Sequence, residues 1–187
     1  GGEFTMGCSK KDAPCDKDER PAHTVKLNTF LISKYEVSTA EYKQFAAETK
    51  TKLPTTEWKM QDNLPITNVL WEEAVLFCNW LSTKQGLKPA YIRKGNLFEC
   101  DFSANGFRLP TEAEWEFAAR GGLEGKNFVW GDEAPTDEKT FANTWQGKFP
   151  AENLKRDGFE GTAPVGQYAP NGYGLYDMAG NVWEWCQ

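Results

Sequence analysis

The stretch GFRLPTEAEWEFAARGG, Gly106–Gly122, contains a helix with both of its ends written in. Thr111 and Glu114 stand three apart, the spacing at which a cap side chain and a returning carboxylate satisfy each other's backbone donors. Pro110 closes the approach, and Gly121 with Gly122 supplies the C-terminal stop. Trp115, Ala118 and Ala119 fall on one face. After Gly122 regular periodicity disappears, and Gly, Pro, Asn and Asp are spread through the rest. A loop that long inside a compact domain needs a function or an organiser.

Upstream of this helix the pattern is more regular. GGEFTMG, Gly1–Gly7, reads as a short strand with its turn, and residues 8–20 as a polar surface loop. From Ala22 to Val37 apolar residues alternate (Val25 and Leu27, then Phe30 and Ile32, then Tyr35 and Val37), which predicts two strands broken near Asn28. Ser38 and Glu41 form another capping-box pattern, opening a helix with Tyr42, Phe45 and Ala46 on one face. Residues 50–68 are loop, punctuated by Pro54 and Pro65. A second helix runs from about Trp71 to Thr83, with Trp71, Ala74, Val75, Cys78 and Leu81 at helical spacing. Ala90–Phe102 has strand character in two pieces around Gly95.

The 187 residues suit one sizeable domain, numbered 1–187 throughout. A net charge of −6 and a pI near 5.0 argue against nucleic acid, which needs a basic face. No apolar run approaches a membrane span. Eight Trp and twelve Phe beside frequent Gly and Pro describe a loop-rich domain with aromatic packing anchors. The five cysteines, Cys8, Cys15, Cys78, Cys100 and Cys186, include no CxxC pair, and His23 is the only histidine, so a Cys/His zinc site is not expected. Cys8 and Cys15 flank a short polar loop and could bridge if the protein is exported; the odd count leaves at least one thiol without a partner in this chain. Cys78 reads as a core residue, with a disulfide to something outside the chain as the competing reading.

A hard cation is one organiser of irregular loops, since it substitutes coordination for a hydrogen-bond ladder. Calcium takes six to eight oxygens from carboxylates, amides and carbonyls. Suitable oxygens occur in ANTW, Ala142–Trp145, with RDGF, Arg156–Phe159. They occur again in GLYDMAGNVWEWCQ, Gly174–Gln187, where Asp177 and Glu184 bracket the small residues Ala179 and Gly180. On spacing alone a solvated acidic loop is the better explanation of these acids. Nothing in the sequence places Asp177 and Glu184 in a cleft for hydrolysis, and a serine triad would have to use the strand-like His23. No phosphate-cradling glycine loop precedes a helix.

Taken in order, FTMG (Phe4–Gly7), KYEVS (Lys34–Ser38), LPITNVLWEEA (Leu64–Ala74), FCNWLS (Phe77–Ser82), the Gly106–Gly122 stretch, WGDE (Trp130–Glu133), ANTWQG (Ala142–Gly147), GTAPVG (Gly161–Gly166) and PNGYGLYDMAGNVWEW (Pro170–Trp185) resemble the formylglycine-generating enzyme family, or sulfatase-modifying factor domain. The resemblance runs from Phe4 over nearly the whole chain. It implies an α+β, C-type-lectin-like fold with a small antiparallel sheet, two or three helices and extensive irregular loops. It implies calcium at two places: one on Asn143, Thr144, Asp157 and Phe159, the other on Asp177, Gly180, Val182 and Glu184. In the family's enzymes a copper-binding cysteine pair oxidises a substrate cysteine to formylglycine. The resemblance puts that pair beyond GNVWEW, in a C-terminal segment this chain does not contain. Cys78 matches a structural family cysteine whose partner lies in the same segment, and Cys186 matches no catalytic one.

Two functions are then expected to compete. The first is a non-catalytic ligand-binding or display scaffold, a bacterial surface variable protein of the kind encoded beside diversity-generating retroelements. It would be an extracytoplasmic or cell-surface monomer that binds a protein or other surface ligand through its C-terminal segment. The alternative is a formylglycine-generating oxidase using copper, its active-site cysteines in the absent segment. A structural lipoprotein of a secretion or gliding apparatus is a third use of this domain.

Overall fold

The computed structural model describes residues 1–8, 15–17, 19–56 and 58–187. Most of the expected 8–20 loop lies outside the described residues. The elements are β1 (Gly2–Met6), β2 (His23–Leu27), α1 (Thr39–Thr49), α2 (Trp71–Lys84), β3 (Tyr91–Lys94), β4 (Leu97–Cys100) and α3 (Glu112–Arg120). They form two antiparallel two-stranded sheets, β1–β2 and β3–β4, and the chain divides into two compact units.

The first unit comprises Gly1–Glu36 and Glu112–Trp183. β1 and β2 pair with Phe4 opposite Val25. The buried Phe4 meets the Phe117 ring of α3 edge-on, centroids 5.4 Å apart. The chain just past β1 is pinned to the same helix: Gly7 N–H donates to Glu116 Oε1 at 2.8 Å, and Arg120 Nη2 donates to the Gly7 carbonyl at 2.9 Å. α3 begins directly after the expected cap Thr111. Its Ala118 and Ala119 pack on Leu175 and Met178, with Ile32, Trp115 and Val129 around them. The last carbonyls of α3 are satisfied by a side chain, since Asn171 Nδ2 donates to Ala118 O (2.7 Å) and Ala119 O (3.2 Å). Gly121 ends the helix at φ +57, and a Cβ there would lie 2.9 Å from Asn171, so glycine answers both conformation and space.

The strand expected after Asn28 does not form. Residues 28–37 contain no ladder. Ile32 still packs on the α3 core, but this backbone bonds to irregular chain: Tyr176 N–H donates to the Lys34 carbonyl at 3.1 Å, and the Tyr35 and Tyr176 rings meet at a tilt with centroids 4.8 Å apart. Alternation marks a half-buried extended chain, and here no neighbouring strand supplies the ladder.

The second unit comprises Val37–Thr111 and Glu184–Gln187. α1 starts on the expected capping box, with Glu41 N–H donating to Ser38 Oγ (3.3 Å) and Ser38 N–H donating to Glu41 Oε2 (2.8 Å). At the start of α2 the Leu70 N–H donates to Glu73 Oε2 at 2.9 Å. Tyr42 and Phe45 of α1 and Phe77 of α2 form a buried aromatic cluster with Trp80 against it. The β3–β4 hairpin turns at Gly95 (φ +63) and joins α2 through Asn79, which accepts from Tyr91 N–H (3.0 Å) and donates to Tyr91 O (2.8 Å). Cys78 is buried in the core this joint creates, as its helical position predicts.

Candidate metal centre

Among the described residues no helix or strand lies beyond Arg120, and side chains hold that region together. Asp157 is the first organiser. Its Oδ2 accepts from Thr144 N–H (3.2 Å) and Gln146 Nε2 (2.8 Å), and its Oδ1 accepts from Phe159 N–H (3.0 Å). Gln146 returns the contact by accepting from Asp157 N–H at 3.2 Å. One carboxylate thus joins the two ends of the 143–159 loop, residues 144–146 and 157–159. Two donors occupy Oδ2, whereas Oδ1, with one, keeps a lone-pair position open.

Asn143 is buried, and both of its amide hydrogens are engaged: Nδ2 donates to Gly161 O (2.8 Å) and to Asn181 Oδ1 (2.9 Å). Those bonds fix which end of the amide is the oxygen. The expected first set, Asn143, Thr144, Asp157 and Phe159, is therefore brought to one loop cluster within the first unit. It offers one carboxylate, one amide oxygen and two carbonyls, the hard-oxygen chemistry that calcium takes. Among the described residues, three Cys, His, Asp or Glu ligand atoms converge within 4.8 Å at Cys8, Cys15 and Glu19, where the two sulfurs are joined as a disulfide. A hard cation in the 143–159 loop would accordingly draw on amide and carbonyl oxygens as well as on Asp157.

The expected second set is arranged differently. Asp177, at φ +55, turns its carboxylate onto the Gly166 N–H (2.6 Å). Burial pushes the Asp177 carboxyl above the usual range, and the Gly166 hydrogen bond partly offsets this. Gly180 has φ +75, and a Cβ there would meet the Asn143 carbonyl oxygen at 2.2 Å. Only glycine lets the 177–182 loop approach the 143 loop so closely. Val182 is half-buried in the same unit, while Glu184 is exposed and belongs to the second unit.

Sequence reasoning missed the residue that ties these loops together. Asn181 Oδ1 accepts from Ala163 N–H (2.8 Å) as well as from Asn143, and its Nδ2 donates to Ala163 O (3.3 Å) and to the buried carboxylate of Glu36 (2.7 Å). Its backbone N–H donates to Asn143 O at 2.8 Å, and its φ is +58. The one available signal was the Gly180–Asn181 pair, a dipeptide suited to left-handed backbone.

Two adjoining cavities, of about 180 and 120 Å3, flank this network and share Trp130, Thr140, Phe141 and Ala142. Thr144 and Gln146 line the first, and Tyr168 and Asp177 the second. Trp130 stacks on Phe128 (4.8 Å) and on Phe141 (5.0 Å), and the Trp130 and Phe141 rings line both cavities. Burial raises the Tyr168 phenol, and the charge of Asp157 adds to the effect.

The cysteines occupy structural positions. Cys8 and Cys15 form a disulfide. Burial, then the neighbouring Cys100, pushes the Cys78 thiol up to about 12. Cys100 is half-buried against the same core. Cys186 is also half-buried, and its carbonyl accepts from Trp71 Nε1 at 2.9 Å.

The model of the sulfatase-modifying factor enzyme 1-like domain matches residues 1–187. This chain belongs to that family. The sulfatase-modifying factor domain described here is 34% identical over 231 residues to the formylglycine-generating enzyme of Thermomonospora curvata, covering 100% of the chain and 68% of the relative. It is 35% identical over 209 residues to the inactive C-alpha-formylglycine-generating enzyme 2 of Mus musculus, covering 99% of the chain and 66% of the relative. Among solved structures it is similar to PvdO from Pseudomonas aeruginosa, with a TM-score of 0.76 and 29% identity over 100% of this chain and 67% of that one. It is also similar to Treponema denticola variable protein 1, with a TM-score of 0.68 and 30% identity over 98% of this chain and 69% of that one. The sulfatase-modifying factor domain thus spans about two thirds of the length of these relatives. The three helices, two small antiparallel sheets and long loops of the described residues are the α+β fold of the family. Among the described residues no helix is long and apolar enough to cross a membrane.

Proposed function

We propose that this sulfatase-modifying factor domain is a non-catalytic ligand-binding scaffold whose long loops are braced by calcium. The observation that supports this reading is how the long loops are held: Asp157, Asn143 and Asn181 bond backbone groups that no ladder satisfies, which makes a rigid platform, and the likeness to Treponema denticola variable protein 1 agrees with it. The same reading takes Asn143, Thr144, Asp157 and Phe159 as ligands of one calcium ion, because their oxygens share a loop cluster that lacks a ladder. Asp177, Gly180, Val182 and Glu184 are the second expected set, and the proposal does not depend on it. A braced platform lets side chains change without unfolding the domain. That suits a surface-displayed variable protein, monomeric and recognising a protein or other surface ligand, and the Cys8–Cys15 disulfide supports an extracytoplasmic location.

The likeness to the Thermomonospora curvata enzyme favours a second reading, a copper-dependent formylglycine-generating oxidase. The two readings part in one assay. The full-length protein is loaded with copper and incubated with a peptide carrying Cys-x-Pro-x-Arg. The scaffold reading expects no formylglycine by mass spectrometry, and turnover above the metal-only control would replace it with the oxidase.

A further inference from the structure

We infer that Asn105 is a spontaneous modification site: its side-chain amide condenses with the Gly106 backbone nitrogen, and water then converts it to aspartate and isoaspartate. Asparagine before glycine leaves the attacking nitrogen least crowded, because glycine brings no Cβ beside it. The sequence holds two such pairs, Asn105–Gly106 and Asn171–Gly172. The structure treats them oppositely. Asn171 is half-buried with both ends of its amide fixed: Nδ2 donates to Ala118 O and Ala119 O, and Oδ1 accepts from Tyr173 N–H (2.9 Å) and Leu175 N–H (3.2 Å). Asn105 is exposed, and its amide is held at one point, where Oδ1 accepts from Lys88 N–H at 2.9 Å. Among the described residues, Asn105 Nδ2 and the Gly106 N–H have no hydrogen-bond partner.

The Gly106 N–H gives its proton to hydroxide, and the nitrogen adds to Asn105 Cγ. Negative charge then gathers on Oδ1, the atom that the Lys88 N–H already meets, so a fixed donor faces the developing oxyanion. The Cγ–Nδ2 bond breaks, Nδ2 takes a proton from water and leaves as ammonia, and a succinimide ring remains. Water opens the ring at Cγ to give aspartate, or at the Asn105 main-chain carbonyl to give isoaspartate. Either product carries a new carboxylate. Isoaspartate also routes the backbone through Cγ, which adds a methylene immediately before Gly106. Space there is tight: a Cβ on Gly106 would lie 2.2 Å from the Lys88 carbonyl oxygen. The next residue, Phe107, donates its N–H to the buried Ser82 Oγ at 2.7 Å. The longer backbone therefore detaches residues 106–107 from α2.

The test incubates the folded full-length protein at mildly alkaline pH in water labelled with oxygen-18, beside a sample in urea. Both are then digested in unlabelled acid and both asparagines are mapped by mass spectrometry. Folded protein is expected to gain labelled oxygen at Asn105. Asn171 should react roughly tenfold or more slowly, because its hydrogen bonds must open before its amide can turn. In urea the two rates should converge. Equal conversion of the two sites in folded protein, earlier conversion of Asn171, or an intact Asn105 where the urea sample reacts would overturn the inference. In Asn105→Gln the longer side chain disfavours the five-membered ring, so little label is expected there, and label at the wild-type rate would also overturn it. The isoaspartyl product should show faster amide exchange at Phe107, whereas Asn105→Asp, with the charge but not the methylene, should exchange as wild type does. Unchanged exchange in the isoaspartyl product would overturn the detachment.

Discussion

Asn181 shows how much a single uncharged side chain can hold. Its amide joins Asn143, Ala163 and the buried Glu36 carboxylate, and it does so from left-handed backbone. Replacing it with alanine removes every side-chain bond and leaves buried partners unsatisfied, at a cost of roughly 2–4 kcal/mol in urea unfolding. Alanine also resists the positive φ, so Asn181→Gly should cost about 1 kcal/mol less than Asn181→Ala. Equal losses would show that the backbone conformation contributes nothing. Asp101 makes a different case, because its role is legible in pH. Lys88 Nζ (2.7 Å), then the Ser103 hydroxyl and N–H, hold its carboxyl at about 2, below the ordinary 3.8. A depressed folded value means the stabilisation is complete above the unfolded value and is lost as pH falls through the folded one. Asp101→Asn should therefore melt below wild type at pH 7, with the gap closing between pH 4 and pH 2. A gap constant across that range would contradict the assigned partners.

At the scale of elements, local grammar decided what could be read in advance. α1 and its capping box were legible because cap, carboxylate and apolar face all lie within one helix, and α2 and the β3–β4 hairpin because periodicity and one turn glycine are local too. Ser38→Ala removes the acceptor for Glu41 N–H and should cost about 1 kcal/mol, read as an earlier urea midpoint and faster amide exchange in the first turn of α1. Unchanged exchange there would mean that packing of Tyr42 and Phe45 alone fixes the helix start. The strand expected after Asn28 illustrates the opposite condition. Its alternation was present, but a ladder requires a neighbour that no local pattern names, and Lys34 is met instead by Tyr176 from the distant loop. The candidate centre divides in the same way. Asn143 and Asp157 were reachable through the family resemblance, whereas Asn181 acts on a residue 145 positions away through a backbone angle that the sequence does not display.

For the whole molecule, the question is what replaces secondary structure after Arg120. Burial supplies part of the answer: Leu175 and Met178 lie beneath α3, and Ala163 is fully enclosed. Polar side chains supply another part, with Asp157, Gln146, Asn143 and Asn181 bonding backbone groups that a ladder would otherwise satisfy. Calcium on the Asn143–Phe159 loop is the proposed remainder, and it can be weighed directly. A ligand that binds only the folded chain adds about 2.7 kcal/mol at a hundredfold excess over its dissociation constant. For a chain of this length that corresponds to a rise in Tm of roughly 5–10 °C. The decisive measurement is calorimetric melting of the wild-type protein and Asp157→Ala, each with saturating calcium and with excess chelator. The account predicts a Tm several degrees lower for chelated wild type and no calcium response in Asp157→Ala. Identical wild-type melting with calcium and with chelator would contradict it.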